Sequence, residues 1–119
     1  MTARARAVKA ADIAFSLYIR ARDPYCVTCG KPISDCSHVF KRDHYSTRWD
    51  ENNAYGQCRP CHFRHHNQSE SYLLDYARVL MGKRAYEDMR ARWEGMSDMK
   101  TWQIEEYARA YRAKLEGMA

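Results

Sequence analysis

The spacing of apolar residues is helical at the start of the chain and loses that period between residues 24 and 61. Residues 5–21 set large apolar side chains among strong helix formers, which predicts a helix that ends before Asp23 and Pro24. Residues 24–61 hold only short apolar stretches, together with all three prolines and all five cysteines. This pattern predicts short strands and tight turns that are stabilised by something other than a large core.

The helical period returns near residue 70 and continues in three successive stripes. Gly82 is the predicted end of the first helix and Gly95 of the second, while Ser97 or Thr101 is expected to cap the third. We interpret the stripes as core or as a dimer interface, because they hold more large apolar residues than a small core can cover. Their members are Tyr72, Leu73, Tyr76, Val79 and Leu80, then Tyr86, Met89 and Trp93, and finally Trp102, Ile104, Tyr107, Tyr111 and Leu115.

The length and hydropathy of the chain restrict its class. A chain of 119 residues fits one domain. The mean hydropathy is -0.78, and no apolar run approaches the roughly 18 residues of a membrane helix, which excludes a membrane-spanning protein. The first residues also lack the uninterrupted apolar segment of a secretory signal, so we expect a cytoplasmic protein.

The positive charge is concentrated in the first half of the chain. The net charge is +5, with eleven Lys and Arg against six Asp and Glu in residues 1–64 and nine of each in residues 65–119. A basic half joined to a neutral half favours a surface that binds a polyanion, and nucleic acid is the first candidate. The alternative is a solvated surface with a chance excess of cations.

Two CxxC motifs enclose the middle of the chain and predict a structural zinc site. Each motif can direct two thiolates at one ion, and four thiolates complete a tetrahedral shell with no open position. Two redox-active dithiols are the alternative, but the sequence lacks the βαβ pattern that they require. Gly30 permits the positive φ of such a turn, and Cys36 is interpreted as a small buried apolar residue. The four predicted ligands are Cys26, Cys29, Cys58 and Cys61.

All five histidines lie between residues 38 and 66, between the CxxC motifs and just after the second one. His38 precedes Asn53 by 15 residues, and Asn53 precedes His62 by 9. His62 and His66 are four residues apart, so a helix that begins near Pro60 places both imidazoles on one face, where they can share a metal ion. Such a cluster beside a metal site predicts chemistry.

The series His38, Asn53 and His62, set within four cysteines, resembles the HNH or ββα-metal nuclease motif. Residues 26 to about 93 also resemble the phage NinG/Rap recombination nucleases. The resemblance implies an α+β fold, with a small zinc-stapled ββα-metal core flanked by N- and C-terminal helices. It also implies cleavage of DNA phosphodiester bonds with one divalent ion, on branched DNA and as dimers in some members. The expected organisation is one domain over residues 1–119, with an N-terminal helix over 1–22, the core over 24–67 and a helical extension over 70–119.

The resemblance assigns a role to each residue of the motif. His38 would be the general base that takes a proton from the attacking water, since the pKa of an imidazole lies near the working pH. Asn53 would hold the loop between the strands, and its amide would orient His38 or reach the metal. His62, as a catalytic residue, and His66 would bind the ion that stabilises charge on the scissile phosphate and the leaving 3′ oxygen.

Two departures from the family pattern affect the metal ligands. The residue before the base is commonly Asp or His, whereas this chain has Ser37, which is a poor ligand. NinG-like proteins usually lack a histidine at the position of His62. Asp43, His65 and Asn67 are the substitute ligands, and Mg²⁺ or Mn²⁺ is the expected catalytic ion. A shell dominated by histidine favours Mn²⁺, Ni²⁺ or Zn²⁺, because Mg²⁺ needs more oxygen donors.

The segment between the predicted strands combines cations with aromatic rings. Lys41, Arg42 and Arg48 are predicted to contact phosphates, and Tyr45 and Trp49 are predicted to stack on unpaired bases. The alternative is a solvated loop in which Trp49 folds back onto the core. The sequence has no helix-turn-helix or other base-reading element, which favours recognition of DNA structure or backbone over sequence.

Two other functions remain open at this point. A non-catalytic zinc ribbon that binds DNA or a partner would need the cysteines but not the spacing of His38 and Asn53. A zinc-stabilised dimerisation protein would depend on its C-terminal helices, and in particular on residues 98–119. We therefore expect DNA and a second copy of the chain as partners, the latter through the C-terminal helices.

Overall fold

The fold combines helices with one small sheet. The computed structural model describes residues 1–67, 71–95 and 98–118, and the side chains of residues 71–75 lie outside this description. Within the described residues, helices surround one two-stranded antiparallel sheet, which confirms the α+β class. No helix in this part of the chain is both long and apolar enough to cross a membrane. In chain order, the elements are α1 (Ala3–Arg22), β1 (Asp35–His38), α2 (Tyr45–Arg48), β2 (Ala54–Gln57), α3 (Arg59–Asn67), α4 (Ser71–Met81), α5 (Lys83–Glu94) and α6 (Thr101–Gly117).

Helix α1 packs along α6 and confirms the predicted N-terminal helix. It begins after Thr2, whose hydroxyl accepts a hydrogen bond from the backbone N–H of Ala5 at 3.0 Å. Small side chains allow the two helices to approach closely. The ring of Phe15 packs against Tyr111 of α6 and against His38 of β1. Full burial of a side chain of this size stabilises the fold by about 1.5–3 kcal/mol. The buried residues of this interface are Ala7, Ala11, Ala14, Phe15 and Ile19 from α1, and Ile104, Ala108 and Tyr111 from α6.

Strands β1 and β2 pair from Asp35 opposite Gln57 to His38 opposite Ala54. Gly56 lies where β2 passes the end of α1, and its backbone N–H donates a hydrogen bond to the Asp23 carboxylate at 2.9 Å. A Cβ atom on Gly56 would lie only 2.6 Å from the Asp23 carbonyl oxygen. Glycine is therefore required at this crossing, which fixes the sheet against α1.

Helices α4 and α5 form a second core with the residues that follow β1 and with Tyr55 of β2. Gly82 separates them with a φ of +87°, and Gly95 follows the last residue of α5, so both glycines end helices as predicted. The prediction of the last cap was wrong for Thr101, which is the first residue of α6 after Lys100. Ser97 lies outside the described residues. The buried residues of this core are Val39, Phe40, Tyr55, Ala77, Tyr86 and Met89.

The apolar stripes divide between core and surface. Tyr86 and Met89 of α5 and Ile104 and Tyr111 of α6 are buried within one chain and serve as core, whereas Trp102 of α6 is 60% exposed. On α4, in contrast, Val79 is 86% exposed and Leu80 is 58% exposed. Tyr72 and Leu73 lie outside the described side chains. The homodimer through the C-terminal helices stays a prediction.

Candidate metal and catalytic site

The four predicted cysteine ligands form one cluster. Their Sγ atoms all lie within 4.8 Å of one another, and those of Cys29 and Cys58 are 3.6 Å apart. Four thiolates at about 2.3 Å from a tetrahedral zinc ion lie about 3.8 Å apart, so these separations suit such an ion. The other two cysteines, Cys26 and Cys61, are buried. The cluster can hold a metal ion such as zinc.

Local backbone geometry creates both halves of this cluster. In the first CxxC motif, the N–H of Gly30 donates to the carbonyl of Cys26 at 2.8 Å, and the glycine takes a φ of +80° as the sequence predicts. In the second motif, Cys58 directly precedes α3, and the N–H of His62 donates to its carbonyl at 3.0 Å. The second motif therefore sets where α3 begins, and with it the position of the histidines.

The thiols differ in acidity. Burial opposes the charged form of Cys26, but backbone N–H groups of Cys58, Cys29 and Thr28 donate to its sulfur and lower the pKa to about 6. Cys36 lies outside the cluster, and burial raises the pKa of its thiol to about 12. Cys26 is thus prepared as a thiolate ligand, whereas Cys36 remains a neutral and partly buried side chain.

His38 lies at the end of β1, and its ring is held by the loop that follows. Its Nε2 atom is 2.9 Å from the carbonyl oxygen of Arg48. A carbonyl can only accept, so Nε2 carries the proton and Nδ1 is the basic nitrogen of the ring. Burial lowers the pKa of His38 to about 4. The imidazole is therefore neutral at neutral pH and can accept a proton, but its pKa lies below the working pH that the sequence prediction assumed, so it is a weaker base than an ordinary histidine.

His62 and His66 lie one turn apart on α3 and face each other. Their Nε2 atoms are 2.8 Å apart, while Nδ1 of His62 lies 2.9 Å from a carboxylate oxygen of Asp35. Two nitrogen ligands at about 2.1 Å from one ion lie about 3.0–3.4 Å apart for angles of 90–109°, so the pair would have to open slightly to share an ion. The Nε2 atom that donates across this contact would also have to pass its proton to Nδ1, because a metal ligand needs a free lone pair. Burial and the neighbouring His62 and Lys41 lower the pKa of His66, which favours the neutral form that binds a metal.

The predicted base and the predicted metal ligands meet in one cavity. A cavity of about 560 Å³ is lined by His38, His62 and His66, which come from β1 and α3. The predicted DNA contacts Lys41 and Arg42 line the same cavity. Histidines that are far apart in the sequence therefore converge with cations, which is an arrangement able to bind a phosphate and activate water. Phe15, Ser16, Cys36, Asp12 and Asp43 complete the lining.

Asn53 holds the loop between the strands and lies away from the metal pair. Its Nδ2 atom donates to the carbonyls of Phe40 at 3.1 Å and Thr47 at 2.9 Å, and its Oδ1 atom accepts from the N–H of Phe40 at 2.8 Å. The side chain is 0% exposed. These three bonds use both atoms of the amide, so the prediction that Asn53 reaches the catalytic ion is corrected: the residue closes the loop over residues 40–47.

Two of the predicted DNA contacts belong to the interior. Trp49 is 1% exposed, and its Nε1 atom donates to the Asp12 carboxylate at 3.0 Å. The guanidinium of Arg48 donates to both oxygens of Asp12, at 3.0 and 2.7 Å, and to the carbonyl of Arg42 at 2.9 Å. The predictions that Trp49 stacks on bases and that Arg48 contacts phosphates are therefore corrected, and the alternative with Trp49 on the core holds. Tyr111 donates to the Trp49 carbonyl from α6.

Asp12 supports the predicted base, a role that was not predicted from the sequence. It holds the side chain of Arg48, and the carbonyl of Arg48 in turn holds His38. Through these contacts α1 helps to orient the predicted base, although α1 lies outside the resemblance. The sequence gives one indication of this role: Asp12 is the only acidic residue in residues 1–22, which otherwise carry only positive charges.

Asp35 is the second missed residue. Burial would raise the pKa of its carboxyl, but hydrogen bonds from His62, Ser34 and Arg59 outweigh this effect and lower it. No local pattern connects Asp35 with His62, which lies 27 residues further along the chain. Only the pairing of β1 with β2 brings the carboxylate next to α3.

Most of the remaining candidates do not line the cavity. His65 is buried, with Nε2 at 3.2 Å from the His38 carbonyl, and the ring of His44 lies 5.1 Å from that of Trp93. Ser37 is fully buried, which agrees with its poor suitability as a ligand. Asn67 donates to the carbonyl of Phe63 at 3.0 Å, further along α3. Among the substitute ligands, Asp43 alone lines the cavity with His62 and His66.

Comparison with known proteins gives no family model that matches this chain, no matching curated protein and no matching solved structure.

Proposed function

We propose that this protein is an HNH-type DNA endonuclease that hydrolyses phosphodiester bonds with His38 as general base and one divalent ion at His62 and His66. One observation carries the proposal: these three histidines line a single cavity, although they come from a strand and a helix that are separated in the sequence. The resemblance to the HNH motif supports the same assignment. In this proposal β1, β2 and α3 form the ββα-metal core, and the four cysteines hold a structural zinc.

The base is oriented for proton transfer. The carbonyl of Arg48 accepts the Nε2 proton of His38, which leaves Nδ1 to accept a proton from water. As the proton moves to Nδ1, the water oxygen bonds to phosphorus and the bond from phosphorus to the 3′ oxygen breaks. The leaving 3′ oxygen takes a proton from solvent, so the products are a 5′ phosphate and a 3′ hydroxyl, and the imidazolium returns its proton to solvent. The low pKa keeps His38 neutral before each turnover.

His62 and His66 would hold the catalytic ion. A divalent ion at this place supplies positive charge to the scissile phosphate and to the leaving oxygen. The chain itself offers few other donors, since the four cysteines are the one group of three or more suitably placed His, Cys, Asp or Glu ligands in the described residues. Two nitrogen ligands leave positions for water and phosphate oxygens, and they favour Mn²⁺ over Mg²⁺.

Lys41 and Arg42 would guide DNA to the cavity. Both residues line it, and the side chain of Arg42 is 64% exposed. An exposed guanidinium gains from a phosphate contact because counterions are released from the DNA. Contacts of this kind read the backbone and not the bases, so the proposal predicts weak sequence preference.

A cleavage assay tests the proposal. Labelled linear duplex, nicked, flap and four-way junction DNA are incubated with the zinc-loaded protein and Mg²⁺ or Mn²⁺, with an EDTA control. We expect cleavage that requires the divalent ion and is lost in His38→Ala. Binding of all four substrates without cleavage under any of these metals would contradict the endonuclease and favour the zinc ribbon that only binds DNA.

A further inference from the structure

We propose that Asp35 is a positioning residue that fixes the ring of His62 for metal binding. This inference rests on the proposed function, because it concerns the ion held by His62 and His66. It adds a residue of β1 to a site whose ligands both lie on α3.

The contact between Asp35 and His62 assigns the two ring nitrogens. A carboxylate oxygen of Asp35 lies 2.9 Å from Nδ1 of His62, and the Nε2 atom of the same ring lies 2.8 Å from His66. An ionised carboxylate is an acceptor only, so Nδ1 carries the proton and Nε2 has the free lone pair. The lone pair therefore points at the neighbouring imidazole, where an ion would bind.

This arrangement has a known chemical benefit. A metal-binding histidine commonly donates its second N–H to a carboxylate, which selects the tautomer, restrains the ring and makes the ligand nitrogen more basic. Without the carboxylate, the ring of His62 would populate two tautomers and several orientations. The entropy lost in ordering the ring would then make the free energy of metal binding less favourable.

Asp35 is itself well held. It is the first residue of β1 and pairs with Gln57, the residue before Cys58. Its other carboxylate oxygen lies 3.4 Å from the guanidinium of Arg59, and its side chain is 18% exposed. Because Cys58 also sets the beginning of α3, the cysteine cluster fixes the carboxylate and His62 relative to each other.

Metal titration of the zinc-loaded protein tests this role. Mn²⁺ is added to protein that carries one Zn²⁺ per chain, and free Mn²⁺ is measured by electron paramagnetic resonance. Loss of a supporting carboxylate typically weakens metal binding by about 10–100-fold, so we expect this increase in Kd for Asp35→Ala. Asp35→Asn should give a smaller increase, because its amide oxygen can still accept the Nδ1 proton. Glu106→Ala on α6 is the control for loss of a carboxylate and should change the Kd by less than about twofold, since its exposed ion pair with Arg109 contributes little.

Two measurements separate positioning from a general structural effect. If Asp35 acts through His62, adding Asp35→Ala to His62→Ala should cause no further loss of Mn²⁺ affinity. Nitrogen NMR of the histidine rings should show the Nδ1–H tautomer of His62 in the native protein and a mixture in Asp35→Ala. Native Mn²⁺ affinity in folded Asp35→Ala and Asp35→Asn, or full additivity in the cycle, would overturn the inference.

The failure of the proposed function gives a different result. If the native protein binds its zinc but no Mn²⁺, Ni²⁺ or Co²⁺ at the histidine pair, the proposed metal site is wrong. If the native protein binds Mn²⁺ and the Asp35 variants bind it equally well, the site is right and only the role of Asp35 is wrong.

Discussion

The cysteine cluster and the histidine cavity contrast in how they are built. The cluster takes four identical ligands from two short motifs, and three of its cysteines are buried. The cavity takes two nitrogens from one turn of α3 and a third histidine from β1, and it opens between exposed cations. A closed shell of thiolates can only stabilise the fold, whereas an open pair of imidazoles leaves room for water and substrate.

The two regions also differ in their supporting contacts. The cysteines depend on local turns, such as the hydrogen bond from Gly30 to Cys26. The histidines depend on distant residues, because Asp12 of α1 holds the Arg48 side chain and Asp35 of β1 holds His62. Damage to the cluster should therefore remove the fold, whereas damage to the cavity should remove function and leave the fold intact.

The largest effect is expected from Cys58→Ser. One Zn²⁺ per chain should co-purify with the native protein, and the variant should lose most of its free energy of unfolding. The binding energy of a structural zinc is about 10 kcal/mol or more, which is comparable with the total stability of a domain of this size. Zinc content and thermal unfolding check this, with Cys36→Ser as the control outside the cluster. A metal-free protein that unfolds as cooperatively as the native one would contradict the structural role.

The next largest effect is expected from His38→Ala. Turnover should fall by about 10²–10⁴-fold, while DNA binding and zinc content stay unchanged, because the base acts only when water attacks. Added Mn²⁺ should not restore activity, since an ion cannot replace a proton acceptor. His44→Ala is the matched control and should have little effect, because His44 packs against Trp93 instead of lining the cavity. A His38→Ala enzyme that cuts at the native rate would show that the base is assigned wrongly.

A smaller effect, and a different kind of effect, is expected from His66→Ala. Loss of one of two ligands should weaken metal binding by about 10–100-fold without abolishing the site. Activity at low Mn²⁺ should fall, and high Mn²⁺ should restore part of it. Activity measured across a series of Mn²⁺ concentrations checks this. The same loss at every concentration would place His66 outside the metal site.

The sequence predicts the local parts of this protein well. The helices other than α2, the four cysteines and the placement of His62 and His66 on one helix face follow from spacing of three or four residues along the chain. The short helix α2 lies in a stretch that the sequence predicts as a loop. The burial of Trp49, in the loop between the strands, could not be predicted in this way. A tryptophan among cations is equally suited to solvent and to core, and the choice was made by Asp12 and Tyr111, which lie 37 and 62 residues away.

Two arginines of this loop, Arg42 and Arg48, are expected to differ in their effect on DNA binding. Arg42→Gln should weaken DNA binding and reduce the slope of log K against log salt by about 1, as expected for one phosphate contact. Arg48→Gln should leave that slope unchanged and lower the free energy of unfolding, since its guanidinium is bonded to Asp12. Fluorescence anisotropy at several salt concentrations measures the first effect and urea unfolding the second. Equal reductions of the slope in the two variants would show that Arg48 also contacts DNA phosphates.

The smallest effect concerns the pH dependence of stability. The pKa of His38 is about 4 in the folded protein, compared with 6.5 for an ordinary histidine. Between these values the unfolded chain binds a proton at this residue and the folded chain does not, so the free energy of unfolding falls as the pH is lowered from about 6.5 towards 4. One such proton contributes a slope of at most about 1.4 kcal/mol per pH unit. His38→Gln removes this contribution and leaves the other histidines and the cysteines in place. Urea unfolding at pH 7, 6 and 5 should therefore show a steeper loss of stability in the native protein than in the variant. Parallel pH profiles would mean that the pKa of His38 is not lowered in the folded state, which would contradict the burial of its ring.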